Sequence, residues 1–297
     1  MSKNKKSLFK GAATALITPF RDGEVDFAAL GDLIDRQIDC GIDALAICGT
    51  TGESCTLSDK EHRTVLEYSL AKSGGRVPMI AGTGSNDTAH AVEMSRFAKG
   101  IGYDGLLVVT PYYNKATERG LIKSYTSIAD AAACPIILYN VPTRTCCNIT
   151  LPVYRELAKH ENIVAVKEAS GNISAVAELL AECGDDFDVY SGNDDQTLPM
   201  LALGGAGVIS VVSNIIPKEM VSLCRKWFDG DTEECRRLHE KYLKLMKMMF
   251  CEVNPIPAKT AAEIMGLCSA EMRLPMCEIG EENRKKLQIL LQEYGLI

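Results

Sequence analysis

The chain has 297 residues, enough for two ordinary domains or for one large α/β barrel with an appendage. At 46% hydrophobic and 24% charged, it has the composition of a soluble globular protein with a sizeable core. A net charge of −7, with no cluster of Lys and Arg, excludes a nucleic-acid-binding surface.

In chain order, MSKNKKSLFKGAATALITPF sets a basic segment before a short apolar run. That run contains Pro19, lacks a small-residue cleavage site and leads straight into a turn at Arg21-Asp22-Gly23, so it reads as a strand and not as a secretory signal. Seven more β-rich apolar runs follow: DALAICGT, VPMIAGTG, DGLLVVTP, CPIILYNVP, IVAVKEAS, FDVYSGN and AGVISVVSN. Between them lie segments such as DFAALGDLIDRQIDCG, KEHRTVLEYSLAKSGG and TAHAVEMSRFAKGIG, whose apolar residues recur at helical spacing and whose ends are closed by glycine. Almost wholly apolar strands alternating with helices predict parallel strands, right-handed crossovers and cover on both faces. Eight such units predict a (β/α)8 TIM barrel; no Gly-x-Gly-x-x-Gly follows the first strand, which stands against the rival doubly wound dinucleotide fold. The uncharged stretch from Gln196 to Pro217 is long enough to span a bilayer, but Pro199 and Gly204-Gly205 break it into a short helix, a turn and a strand. No membrane segment is predicted. From Asp231 the strand signal stops, giving a catalytic barrel over residues 1–230 and a C-terminal helical region over 231–297 through CRRLHEKYLKLMKMM, PAKTAAEIMG and ENRKKLQILLQEYG. The stripe Met246, Met248 and Met249 reads as packing against the barrel.

Twelve scattered cysteines without a Cys-x-x-Cys pair suit buried free thiols in a reducing cytoplasm better than a disulfide framework. His62, His90, His160 and His239 show no His-x-x-x-His spacing and no neighbouring cysteine cluster, so no metal site is expected.

Barrel enzymes place their chemistry at the C-terminal ends of the strands. Here those ends carry Gly49-Thr50-Thr51-Gly52-Glu53-Ser54, Thr110-Pro111-Tyr112-Tyr113-Asn114, Tyr139-Asn140-Val141-Pro142 with Arg144 beyond, Lys167-Glu168, and Ser191-Gly192-Asn193-Asp194. Lys167 follows Ile163-Val164-Ala165-Val166 on the sixth strand, where burial would favour a neutral amine able to attack a carbonyl. The competing readings are an ion pair with Glu168 and an outward-facing register. The second-strand turn offers hydroxyls and backbone amides that suit a carboxylate or phosphate, or it is an ordinary strand-to-helix turn with Ser54 or Ser58 as a helix cap. Tyr113, Tyr139 and Thr51 could form a chain of hydroxyls, although tyrosines near strand ends are most often core or rim residues. Arg144 has the planar fork that grips carboxylates.

Together, GTTGES, TPYYNK, YNVPTRT, VAVKEASGN and NPIPAK resemble the dihydrodipicolinate synthase and N-acetylneuraminate lyase superfamily, and within it the dihydrodipicolinate synthase branch, from Ala13 to at least Lys259. The resemblance implies a Schiff-base condensation of pyruvate with L-aspartate 4-semialdehyde, on the path to lysine and diaminopimelate, with Lys167 as the covalent catalyst and no added cofactor. It implies that Tyr139, Thr51 and Tyr113 relay protons, that Thr50, Thr51, Gly192 and Ile209 line the pyruvate pocket, and that Arg144 holds the semialdehyde carboxylate. It further implies a homotetramer built as a dimer of dimers, with the tyrosine at 113 reaching into a neighbouring subunit. A lysine-feedback site would fall on Ser54, Cys55, His62, Asn86, His90 and Tyr112, but His90 stands where lysine-sensitive bacterial members usually carry a carboxylate, which implies weak or absent feedback. The alternatives are another pyruvate-dependent aldolase of the scaffold, acting on a 2-keto-3-deoxy sugar acid or a sialic acid, and a catalytically silent barrel that senses a small carboxylate. A phosphate site at Gly204-Gly205 and Gly207 rests on fold analogy alone.

Overall fold

A computed structural model describes residues 5, 7–184 and 187–297; most of the basic segment weighed above, residues 1–4 and 6, lies outside the described residues. The elements run β1 (Gly11–Ala15), the antiparallel pair β2 (Phe20–Arg21) and β3 (Glu24–Val25), α1 (Phe27–Asp39), β4 (Ala44–Ile47), α2 (Asp59–Ser73), β5 (Met79–Gly82), α3 (Thr88–Ile101), β6 (Gly105–Val109), α4 (Glu118–Ala132) and β7 (Ile136–Asn140). They continue with α5 (Pro142–Thr145), α6 (Leu151–Leu157), β8 (Ile163–Glu168), α7 (Ile173–Cys183), β9 (Asp188–Ser191), α8 (Thr197–Ala202) and β10 (Gly207–Ser210). Four helices end the chain: α9 (Pro217–Phe228), α10 (Thr232–Met248), α11 (Ile256–Ile264) and α12 (Glu281–Glu293). Strands β1 and β4 through β10 form a closed barrel in sequence order, with β1 beside β10. The eight apolar runs are therefore its eight strands. The two-residue strands β2 and β3 flank the turn at Asp22-Gly23, too short to leave a periodic signal. Among the described residues no helix is long and apolar enough to cross a membrane.

By backbone contacts the chain divides into two units, one reaching Ala12 and resuming over Pro78–Ile209, the other holding Ala13–Val77 and Ser210–Ile297. In the first unit the strands are buried along nearly their whole length, as both-face cover demands. The pairing of β7 with β8 contains an irregularity: Ile136 lies opposite Ile163 but Ile137 lies opposite Ala165, so Val164 is an extra residue in β8. Beyond this bulge Tyr139 pairs with Lys167 and Asn140 with Glu168.

In the second unit, α1 turns Leu30, Leu33 and Ile34 inward along with the buried amide of Gln37. Thr14 donates to Gln37 Oε1 at 2.6 Å while Gln37 Nε2 donates to the Ser213 carbonyl at 2.8 Å, so the buried amide is satisfied. Asn214 does the same for the chain beyond β1, accepting from the Ile17 amide and donating to the Ala15 carbonyl. Helix α2 starts at a capping box in which Ser58 and Glu61 satisfy each other's backbone amides, and it ends at a left-handed Gly74. Met246 and Met249 are buried.

The seam between the first and last strands of the barrel leaves no room for a side chain. A Cβ built on Gly207, whose φ is +150°, would lie 1.8 Å from the Gly11 carbonyl oxygen. We expect Gly207→Ala to cost about 3 kcal/mol, at the upper end for overpacking because the obstacle is backbone. Thermal denaturation should show a Tm lowered by several degrees, on the order of 2–4 °C per kcal/mol for a chain of this size; an unchanged Tm would refute the account of the seam.

Candidate active site

Strand alternation decides what β8 can present. Successive side chains of a strand point to opposite faces, and residues paired across neighbouring parallel strands share a face. Lys167 and Tyr139 are such a pair, and the Lys167 Nζ lies 4.5 Å from the centre of the Tyr139 ring. Lys167 is buried, and its neighbour Glu168 meets Tyr154 of the covering helix α6, so by alternation Lys167 points away from the helices and the outward-facing reading does not hold. Gly192, after β9, keeps this space open: a Cβ there would come within 2.6 Å of the Ala169 Cβ and 3.2 Å of the Lys167 Cε. The Gly192 amide donates to the Glu168 carbonyl at 2.8 Å, fixing the backbone beside the lysine. Ile209 is buried on β10.

The ion pair between Lys167 and Glu168 does not form, because Glu168 faces the other way. Its carboxylate accepts hydrogen bonds from Asn140 Nδ2 at 2.9 Å, from the Tyr154 hydroxyl at 2.9 Å and from the Ser170 amide at 2.7 Å. Burial, then the Glu168 charge, pushes the Tyr154 phenol well above its ordinary pKa, so Tyr154 stays protonated and donates.

Arg144 sits on the surface of the short helix α5, after Pro142 has set the first helical position. Thr145 next to it is buried, and its hydroxyl accepts from Thr110 at 2.9 Å and donates to the Cys147 carbonyl at 3.0 Å. Thr110 precedes Tyr112 and Tyr113, so one hydrogen bond links the two loops. Tyr113 is 92% exposed, with a left-handed φ of +70°. Backbone strain of this kind at a residue other than glycine gathers at functional sites. Of the positions weighed for lysine feedback in this unit, Asn86, His90 and Tyr112 are half-buried, and the Asn86 carbonyl accepts from Asn114 Nδ2.

The second unit holds the turn after β4. Cys48 and Glu53 both adopt left-handed backbone, at φ +55° and +53°. The Gly52 and Glu53 amides are spent inside the turn on the Gly49 and Thr50 carbonyls, and the Thr18 hydroxyl holds the Gly52 carbonyl at 2.8 Å. Thr51 is buried, and its Oγ1 accepts from Asn254 Nδ2 at 2.9 Å. With its lone pair so engaged, the Thr51 hydroxyl has its own proton left to donate. Thr50 is half-buried. Ser54 and Cys55 lie on the following 3-10 turn (Ser54–Thr56), and His62 is buried in α2; Ser58, not Ser54, caps that helix.

Two residues of this turn's support escape a reading of motifs. Lys259 on α11 is fully buried, with its Nζ 2.7 Å from Glu53 Oε1, 2.6 Å from the Glu271 carbonyl and 4.2 Å from the centre of the Phe20 ring. Burial pulls its pKa down, and Glu53 pulls it back up. Asn254 is the other. Both belong to the segment NPIPAK, where a lysine inside an otherwise apolar helix start was the available signal. Arg273 completes the cluster, with its guanidinium 4.5 Å from the centre of the Phe20 ring and paired with Glu61 at 2.5 Å, which holds the Glu61 carboxyl at about 2. Among the described residues no group of three His, Cys, Asp or Glu side chains is arranged to hold a metal.

Residues 8–294 match the dihydrodipicolinate synthetase family. The 4-hydroxy-tetrahydrodipicolinate synthase of Geobacter sulfurreducens is 52% identical over 290 residues, which is 98% of this chain and all of that protein. The crystal structure of dihydrodipicolinate synthase from Aquifex aeolicus superposes with a TM-score of 0.96 at 47% identity, covering 97% of this chain and 99% of that one. A monomeric dihydrodipicolinate synthase variant superposes equally well, with a TM-score of 0.96 at 40% identity over 98% of each chain. On full-length sequence and fold alike, the chain belongs to the dihydrodipicolinate synthetase family.

Proposed function

We propose that this protein is a 4-hydroxy-tetrahydrodipicolinate synthase that condenses pyruvate with L-aspartate 4-semialdehyde through a Schiff base on Lys167. The observation that carries the reading is a buried lysine on the sixth barrel strand with a tyrosine in register beside it, 4.5 Å from Nζ to ring centre. The neutral amine attacks the ketone carbon of pyruvate and water leaves, forming an imine. Loss of a methyl proton gives the enamine, whose carbon attacks the aldehyde. The semialdehyde's amine then adds to the imine carbon and expels Lys167, closing the ring. The protonated imine is itself the electron sink, so the chain's own lysine does the work of a cofactor.

Protons enter and leave at Tyr139, in a relay with Thr51 and Tyr113. The hydrogen bond from Asn254 holds the Thr51 oxygen in place and leaves its proton for the relay to use. Thr50 and Thr51 receive the pyruvate carboxylate, Gly192 and Ile209 line the pyruvate side, and Arg144 takes the carboxylate of the semialdehyde through its planar fork. That arginine, in its YNVPTRT setting, favours the semialdehyde over the longer sugar-acid substrates of other aldolases on this scaffold. The work belongs in the cytoplasm, where the twelve cysteines, free in this structure, stay reduced.

Pyruvate with sodium borohydride should add a reduced pyruvyl group at Lys167, located by peptide mass spectrometry, and Lys167→Ala should lose both the adduct and the activity. A folded protein that takes up no pyruvyl group would remove the central claim. The exposed, strained Tyr113 suits a residue completed by a neighbouring subunit, and we expect a homotetramer by sedimentation velocity, with Tyr113→Phe lowering kcat about 10²-fold or more. A monomer with full activity would show that no neighbour is needed. His90 leaves the ammonium of free lysine without the carboxylate partner that lysine-sensitive relatives supply, so initial rates should change little across a millimolar L-lysine titration; tight and complete inhibition would sink this expectation.

A further inference from the structure

The outward faces of β7 and β8 carry a polar cluster that the chemistry above does not use. Asn140 and Glu168 stand in register one residue beyond Tyr139 and Lys167, both almost fully buried. Every polar atom of the Asn140 side chain is engaged. Its Nδ2 donates to Glu168 Oε2 at 2.9 Å, and also to Asn148 Oδ1 at 2.9 Å; its Oδ1 accepts the Ile149 amide at 3.1 Å. Asn140, the residue that leads into the segment from Val141 to Ile149, thus also holds the far end of that segment, and the segment carries Arg144. Glu168 in turn is fixed by Tyr154 on α6 and by the Ser170 amide, so the tie is anchored to the strand that bears Lys167. The bond between Thr145 and Thr110 steadies the far side of the same loop.

We infer that the Asn140 and Glu168 pair positions Arg144, and so sets specificity for the acceptor aldehyde while leaving pyruvate activation alone. The inference rests on the reading of Lys167 and Arg144 given above. The same amide that caps the buried carboxylate closes the loop bearing Arg144 back onto the strand from which it leaves. Charge-assisted hydrogen bonds to Glu168 make the tie stiff, and a bidentate arginine clamp loses affinity when its backbone shifts by a fraction of an ångström.

The test separates the two substrates. In Asn140→Ala, KM for L-aspartate 4-semialdehyde should rise about tenfold, the size of effect that follows loss of one well-made buried hydrogen bond, whereas KM for pyruvate and the yield of borohydride-trapped Lys167 should stay within about twofold of wild type. Asn140→Asp keeps the acceptor for Ile149 but sets two carboxylates together, which can be accommodated only by sharing a proton. Its acceptor KM should therefore fall toward the wild-type value as pH is lowered and rise as pH is raised, a dependence that a merely structural role would not produce. An unchanged acceptor KM, a parallel rise in both KM values, or a pH-independent Asn140→Asp defect would overturn the inference. Should Asn140→Ala not fold, Glu168→Gln, which keeps the volume and weakens the same tie, is read by the same criterion. Failure of the wild-type protein to trap pyruvate would instead overturn the site reading itself, and this inference with it.

Discussion

The register between β7 and β8 is the constraint on which the site depends. The extra residue at Val164 shifts every later pair by one place. Without it Tyr139 would lie opposite Val166 and Lys167 opposite Asn140, so the amine would lose its tyrosine and the carboxylate its amide together. A strand buried on both faces makes such a slip expensive, because each step exchanges the inward and outward sets. The bulge therefore sorts two adjacent polar residues on each strand into one pair on one face, Tyr139 with Lys167, and one pair on the other, Asn140 with Glu168.

The same sorting explains why two adjacent charges, Lys167 and Glu168, do not neutralise each other. Each is paid for by its own surroundings. Glu168 has three donors around it, while Lys167 has an aromatic face and the space left by Gly192. The lysine is thus buried without being locked to the carboxylate beside it.

Much of this was legible in the sequence for physical reasons. Both-face burial forces apolar strand cores, so the eight runs announced the barrel, and the polar residues at their C-terminal ends marked where a site would be sought. Lys167 stood out because a lysine is seldom buried on an apolar strand without a reason, although an ion pair or an outward register remained open in the sequence. The rest was hidden where the physics is not local. The bulge at Val164 leaves no compositional mark, since Ile163, Val164 and Ala165 read as one run. Hence the outward set of Glu168 could not be separated from an ion pair with its neighbour. Asn254 and Lys259 are more than 200 residues from the turn they support, and only the folded chain brings them to Thr51 and Glu53. The pair β2 and β3 is too short for any period, and only its turn was visible.

The attachment of Asn254 and Lys259 to the turn after β4 has a consequence for biosynthesis. A ribosome makes the strands of the barrel before it reaches these two residues. Until then a nascent chain carries the Glu53 carboxylate without its lysine and the Thr51 hydroxyl without its amide, in a turn whose backbone is already strained. The barrel strands can therefore be complete on the ribosome while the turn still lacks its two side-chain partners, which arrive only with the later helices. Synthesis order thus separates the appearance of the strands from the completion of the turn.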